Sequence, residues 1–269
     1  VVALGAVRIN RAAIPASPTI AATRASVTQP PTLSPPPNSL PTLPTPENGG
    51  PGGGLPPFNS QNDSPEVAAA KELVAKNPSD PEAHLQLSLA FWDSDQTRPA
   101  MDELTQTLNL AGPDNKEFFI RAAEEFKARE AWVLAAGVYL RLALIYHGAD
   151  MPEEIENGLH ETIYKSAEQK EMSLFVFFER IDTASPPLGH IARGRYALYN
   201  GSLEDAKIQL ANAEKLEPNM YEALLLKAEI AMKEGNSAET KNILLSLSAD
   251  LSAPEWIRFM AENYLKTMQ

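Results

Sequence analysis

ALYNGSLEDAKIQLANAEKLEPN, residues 197–219, decides the fold. Small residues stand at fixed places (Gly201, Ala206, Ala213), a large apolar one lies between them (Leu210), and Pro218 closes the stretch. It contains no histidine and no cysteine, so its regularity is a matter of packing rather than chemistry. Glycine turns the chain, alanines let two helices touch, and proline ends the unit.

The same grammar recurs along the chain. A unit started at Pro187 places Gly194, Gly201, Leu203, Ala206, Leu210, Ala213, Leu216 and Pro218 at positions 8, 15, 17, 20, 24, 27, 30 and 32. The next, from Tyr221, supplies Leu224, Ala228, Gly235, Leu244 and Leu247 at positions 4, 8, 15, 24 and 27, with Thr240 in place of alanine at position 20. Units from Pro81 and Lys116 put Ser88 and Ala123 at position 8, and Ala100 and Ala135 at position 20. Positions 8 and 20 are where two paired helices approach most closely, so only a small side chain fits there. The starts at 81, 116, 187 and 221 leave a gap of 71 residues, two periods long. The gap holds two helical lengths and few small residues, and reads as a degenerate unit.

This pattern resembles the tetratricopeptide repeat family. The resemblance implies an all-α fold: a right-handed superhelical solenoid of about five helix-turn-helix repeats. Residues 254–268 would form a capping helix after it, over residues 64–269 as a whole. It also implies that positions 2, 5, 9, 12 and 13 of the first helices line a concave groove for a partner segment. Here those positions hold Leu85, Leu89, Trp92 and Asp93, then Leu188, Ile191, Arg195, Leu198 and Tyr199, then Leu225, Glu229, Met232 and Lys233. The lysine and asparagine clamp by which some members seize a C-terminal carboxylate is absent, because position 5 is apolar. The groove is expected to suit an apolar or basic segment.

Helix starts are written plainly. Ser64 with Pro65 and Glu66, and Asp80 with Pro81 and Glu82, combine an N-cap, a first-turn proline and an acid at the positive helix end. Ser202 with Asp205, and Ser252 with Glu255, have capping-box spacing.

Residues 1–63 are different in kind. They hold 13 of the 23 prolines, 6 of the 14 glycines and a net charge of +1, which leaves −13 on the remaining 206 residues. Residues 14–63 read as an extended polyproline-type arm with a glycine hinge at 49–54. Residues 1–13, with seven apolar residues before Arg8, read either as the end of a signal peptide or membrane anchor or as a plain apolar terminus. The acidic body disfavours nucleic acid as a partner.

Few residues are set out for chemistry. No cysteine is present, and the four histidines (His84, His147, His160, His190) include no pair four residues apart. The glycine run at 49–54 lacks the lysine of a phosphate loop. Asn200-Gly201-Ser202 fits the glycosylation triplet but lies inside the turn of the best repeat. No catalytic residue, metal or cofactor is expected. The chain reads as a non-catalytic interaction scaffold or accessory subunit of a larger assembly, set outside the cytoplasm and held by its N-terminal segment. The alternative is a periplasmic assembly factor similar to the repeat-bearing components of cytochrome c maturation.

Overall fold

The computed structural model describes residues 63–113, 115–146, 151–169 and 174–268, with side chains from 178 onward in the last of these. The readings made for residues 1–62 lie outside the described residues. Twelve helices and no strand occur among the described residues, all within one compact unit inside Pro57–Gln269. They are α1 (Pro65–Lys76), α2 (Pro81–Asp93), α3 (Thr97–Leu110), α4 (Lys116–Lys127), α5 (Trp132–Tyr146) and α6 (Glu153–Ser166). The second half comprises α7 (Leu174–Ala184), α8 (Pro186–Tyr199), α9 (Leu203–Leu216), α10 (Tyr221–Lys233), α11 (Ser237–Ala249) and α12 (Glu255–Thr267). No helix among the described residues is long and apolar enough to cross a membrane.

The first two starts carry the anticipated caps: Ser64 Oγ accepts from the Val67 N–H and Asp80 Oδ1 from the Glu82 N–H. The two later serines act differently. Ser202 precedes α9, but its hydroxyl binds the Asp205 carboxylate rather than a backbone amide. Ser252 lies before the cap of α12, which is Pro254, and its own N–H donates to Asp250. Ser202 stands at the N-cap of α9 with its hydroxyl taken by Asp205, whereas Ser252 lies two residues short of the α12 cap, beyond the reach of its side chain.

One turn is built four times. Asp95, Glu130, Gly201 and Gly235 are left-handed, with φ of 57°, 54°, 83° and 76°. All four stand at position 15 of their units. At each, the following N–H reaches back to position 11: Gln96 to Phe91 (2.9 Å), Ala131 to Phe126 (2.9 Å), Ser202 to Ala197 (2.8 Å) and Asn236 to Ala231 (2.9 Å). This closure satisfies carbonyls that the helix end would otherwise leave open, and it reverses the chain onto the helix just completed. Glycine adopts the conformation freely, whereas Asp95 and Glu130 hold it at a cost of about 1 kcal/mol or more each.

The contacts that follow are equally regular. In the α2–α3 pair, Ser88 Oγ donates to the Ala100 carbonyl at 2.6 Å. In the α8–α9 pair, a Cβ added to Gly194 would stand 3.3 Å from the Ala206 carbonyl oxygen and 2.9 Å from Leu226. Ala100, Ala123, Ala135, Gly194, Ala206, Ala213 and Ala228 are all buried. Thr240, standing where alanine would, turns its hydroxyl to the Asn236 carbonyl at 2.9 Å and so enters the contact with no unpaired group. Two histidines repeat as well: His84 Nδ1 lies 2.7 Å from Glu103, and His190 Nδ1 lies 2.7 Å from Gln209. Each joins position 4 of a first helix to position 23 of the second.

Between these pairs, α6 packs chiefly on α5 and α8, and α7 on α8 and α5. The two helices of the degenerate segment therefore serve their neighbours more than each other. α6 does carry a small residue, Gly158, where any Cβ would run into the Tyr139 ring of α5. Gln169, just past α6, accepts from the Val133 N–H and donates to the Glu130 carbonyl at 3.1 Å each, completing the entry to α5 from 36 residues away. Two hydrophobic clusters result, one centred on α2–α6 around Phe119, Phe126 and Leu142, the other on α8–α12 around Leu210, Leu225 and Ile257.

Candidate functional site

The residues expected to line the groove do not form an open surface. Leu85, Leu188, Ile191, Arg195, Leu198, Leu225 and Glu229 are buried. Leu89, Trp92 and Met232 are half-buried against the cores, and Trp92 donates its indole N–H to the Arg129 carbonyl. Tyr199 keeps 37% of its surface, and Asp93 and Lys233 are exposed. The burial has a separate cause in each half: α6 and α12 close over α8 and α10, while Leu85, Leu89 and Trp92 of α2 pack into the first core cluster.

Arg195 is the centre of that closure and has no exposed surface. Its Nε donates to both oxygens of Glu229, at 3.1 and 3.0 Å, and Nη2 adds a third bond to Oε1 at 3.0 Å. Nη1 donates to the Tyr164 carbonyl at 2.6 Å, and Nη2 pairs with the Glu168 carboxylate. The guanidinium lies 4.1 Å from the centre of the Tyr164 ring, and the Tyr199 and Tyr264 hydroxyls complete the shell at 3.3 Å. Tyr264 in turn donates to Glu229. Four helices, α6, α8, α10 and α12, thus meet on one cation.

The surroundings keep the arginine charged and the three phenols neutral. Burial opposes the Arg195 charge, but the Glu229 carboxylate overcomes it and holds the guanidinium well above its ordinary range. Burial and then the Glu229 charge push the Tyr199 phenol up to about 12, and the same two causes raise Tyr264. Burial raises Tyr164 as well, and its hydroxyl has no partner among the described residues. An arginine buried completely, bound to two carboxylates and a carbonyl and stacked on a ring, is a structural tie, with no exposed donor for a ligand.

A second link lies along α6. His160 Nδ1 sits 2.9 Å from Glu222 of α10, both largely buried. Burial alone would lower the imidazole pKa, but the hydrogen bond and charge of Glu222 raise it on balance. A folded value above the unfolded one means the pair stabilises fully below about pH 6.5, and the contribution fades as pH rises through the raised value. The stability advantage of the parent over His160→Gln should therefore shrink between mildly acidic and alkaline pH, as read from urea midpoints. A constant difference across that range would show that the imidazolium is not what Glu222 holds.

What stays open is a shallow cleft of about 460 Å³ where α6 faces the start of α12. Asn157, Glu161 and Lys165 form one wall, and Trp256 and Phe259 the other. Phe259 keeps 58% of its surface, while Trp256 is anchored against Tyr164 with ring centres 5.5 Å apart. Lys165 bonds Glu161 at 2.7 Å and lies 4.1 Å over the Trp132 ring; Lys127 reaches the same Glu161 at 3.1 Å. Burial would lower the Lys127 pKa, and the charge of Glu161 raises it overall. Glu161 is neutralised by its two lysines, while Glu255 lines the cleft as an exposed acid, so the cleft offers aromatic surface beside a paired network and one further carboxylate. Sequence reasoning missed it because its walls come from residues almost 100 positions apart.

No group of three or more His, Asp or Glu side chains arranged to hold a metal occurs among the described residues. Compared with known proteins, the chain matches no family model and no curated protein.

Proposed function

We propose that residues 64–269 form a tetratricopeptide-type right-handed solenoid that acts without catalysis as an interaction scaffold or accessory subunit of a larger assembly. The turn built four times at position 15, with its repeated closing bond, is the observation that carries this reading. Stacked helical pairs of one design present a preformed surface, so a partner binds without paying to order it. The α6–α12 cleft is the docking place we favour, with Phe259 as an exposed aromatic anchor. A setting outside the cytoplasm, with residues 1–63 as anchor and stalk, belongs to the same proposal and rests on their sequence. Recovery of the native protein in the cytosolic fraction would remove that part.

Affinity purification of the full chain after mild crosslinking tests the rest. A stoichiometric protein partner is expected, its yield falling about tenfold or more with Phe259→Asp, the scale of losing one anchor residue. The variant's thermal midpoint should be unchanged, since the side chain is exposed. Equal recovery with Phe259→Asp would move the site elsewhere, and recovery of no partner would argue against a scaffold. The same purification without residues 1–63 shows whether the arm contributes.

A further inference from the structure

A different cleft, of about 320 Å³, opens where α3, α5 and α7 meet, and two arginines line it: Arg141 of α5 and Arg180 of α7. Neither has a hydrogen bond or ion pair among the described residues, and the Nε of Arg141 is buried without an acceptor. Elsewhere in the described chain Arg98, Arg121, Arg129, Arg193 and Arg195 pair with carboxylates, while Arg258 is a single arginine whose Nε is likewise buried without an acceptor. In a body carrying −13, with acids in excess, it is unusual that two neighbouring arginines find none. No acid lines the cleft. Its remaining walls mix apolar and neutral polar groups: Leu108 from α3 and Leu140 and Leu144 from the Arg141 face of α5, beside Thr105, Asn109 and Thr183; Leu144 stays half exposed.

Burying a guanidinium nitrogen with nothing to receive its proton is costly, and the cost is recovered when an anion arrives. Leucines beside the charge ask that the anion carry an apolar neighbour. We propose that this cleft binds an acidic side chain, Asp or Glu, flanked by aliphatic residues in an extended segment of a partner protein. Arg141 receives the carboxylate at the base and Arg180 meets it at the mouth, while Leu108, Leu140 and Leu144 take the flanking side chain. A volume of 320 Å³ lies at the small end of ligand sites, room for one or two side chains. The chain's own residues 1–62 are poor candidates, since Glu47 is their sole carboxylate against three arginines. The site is independent of the α6–α12 cleft and of any partner there.

The test uses the full chain and a fluorescent capped peptide of alternating leucine and aspartate, read by anisotropy against the same peptide with asparagine. Saturable binding is expected that weakens with added salt. The asparagine peptide and the Arg141→Gln variant should each bind about tenfold or more weakly, the scale of one lost charge-assisted hydrogen bond. Arg180→Gln should lose less, being exposed. The unfolding midpoint of Arg141→Gln without peptide should hold or rise, which separates lost binding from lost folding. Equal binding of the two peptides, no saturable binding, or undiminished binding by folded Arg141→Gln overturns the proposal. Arg141-dependent binding of inorganic phosphate or of phosphatidylserine vesicles without the acidic peptide would overturn it equally, in favour of a phosphate site.

Discussion

Arg195→Ala is expected to destabilise the folded chain by about 3–5 kcal/mol, the loss seen when one partner of a buried ion pair is removed. Glu229, only 5% exposed, would keep its charge with the Tyr264 hydroxyl as its remaining strong donor. The Tyr164 carbonyl would lose its 2.6 Å donor in the same buried space. Lysine cannot stand in, because one ammonium cannot reach both Glu229 oxygens, the Tyr164 carbonyl and Glu168 together. Replacing both members, Arg195→Met with Glu229→Met, should recover a large part of the loss, since a well-packed apolar pair avoids desolvation altogether. Denaturant midpoints for Arg195→Met, Glu229→Met and the double variant decide the matter. If the double variant is as weak as the sum of the singles, the network stabilises by more than mutual neutralisation.

Ala206→Leu carries the second large effect. Ala206 has no exposed surface, and its backbone oxygen already lies 3.3 Å from where a Cβ on Gly194 would be. Three extra carbons at this crossing have nowhere to go unless α8 and α9 separate, and overpacking of this kind costs about 1–3 kcal/mol, sometimes more. Ala211→Leu, on the same helix but exposed, is the matched control and should stay within about 0.5 kcal/mol. Equal midpoints for the two variants would mean that α8 and α9 do not meet at Ala206.

The difference between these two residues shows what the sequence could and could not convey. Helix contact is local: Gly194 and Ala206 lie one turn and two half-helices apart, and their size alone announces the crossing. Burial of Arg195 depends on Tyr164 and Tyr264, 31 and 69 residues away, and no spacing rule joins them. One signal was there to be read. Arg195 and Glu229 share position 9 of successive units, so stacking the units sets opposite charges side by side; the bond spans 34 residues, one period. The turns at Asp95 and Glu130 were illegible for another reason. Their left-handed backbone is imposed by the closing bond and the helices on either side, with no glycine to mark it.

The meeting of α6, α8, α10 and α12 on Arg195 bears on how the chain comes apart. In a linear stack each unit touches only its neighbours, so melting can begin at an end and advance unit by unit. A tie that joins the last helix to one three pairs earlier works against that sequence in the C-terminal half: α12 cannot fray without taking the Tyr264 hydroxyl from Glu229 and Arg195, and α6 cannot leave without uncovering Arg195. That half is therefore expected to be lost all at once, with its terminal helix protected from local opening much as its centre is.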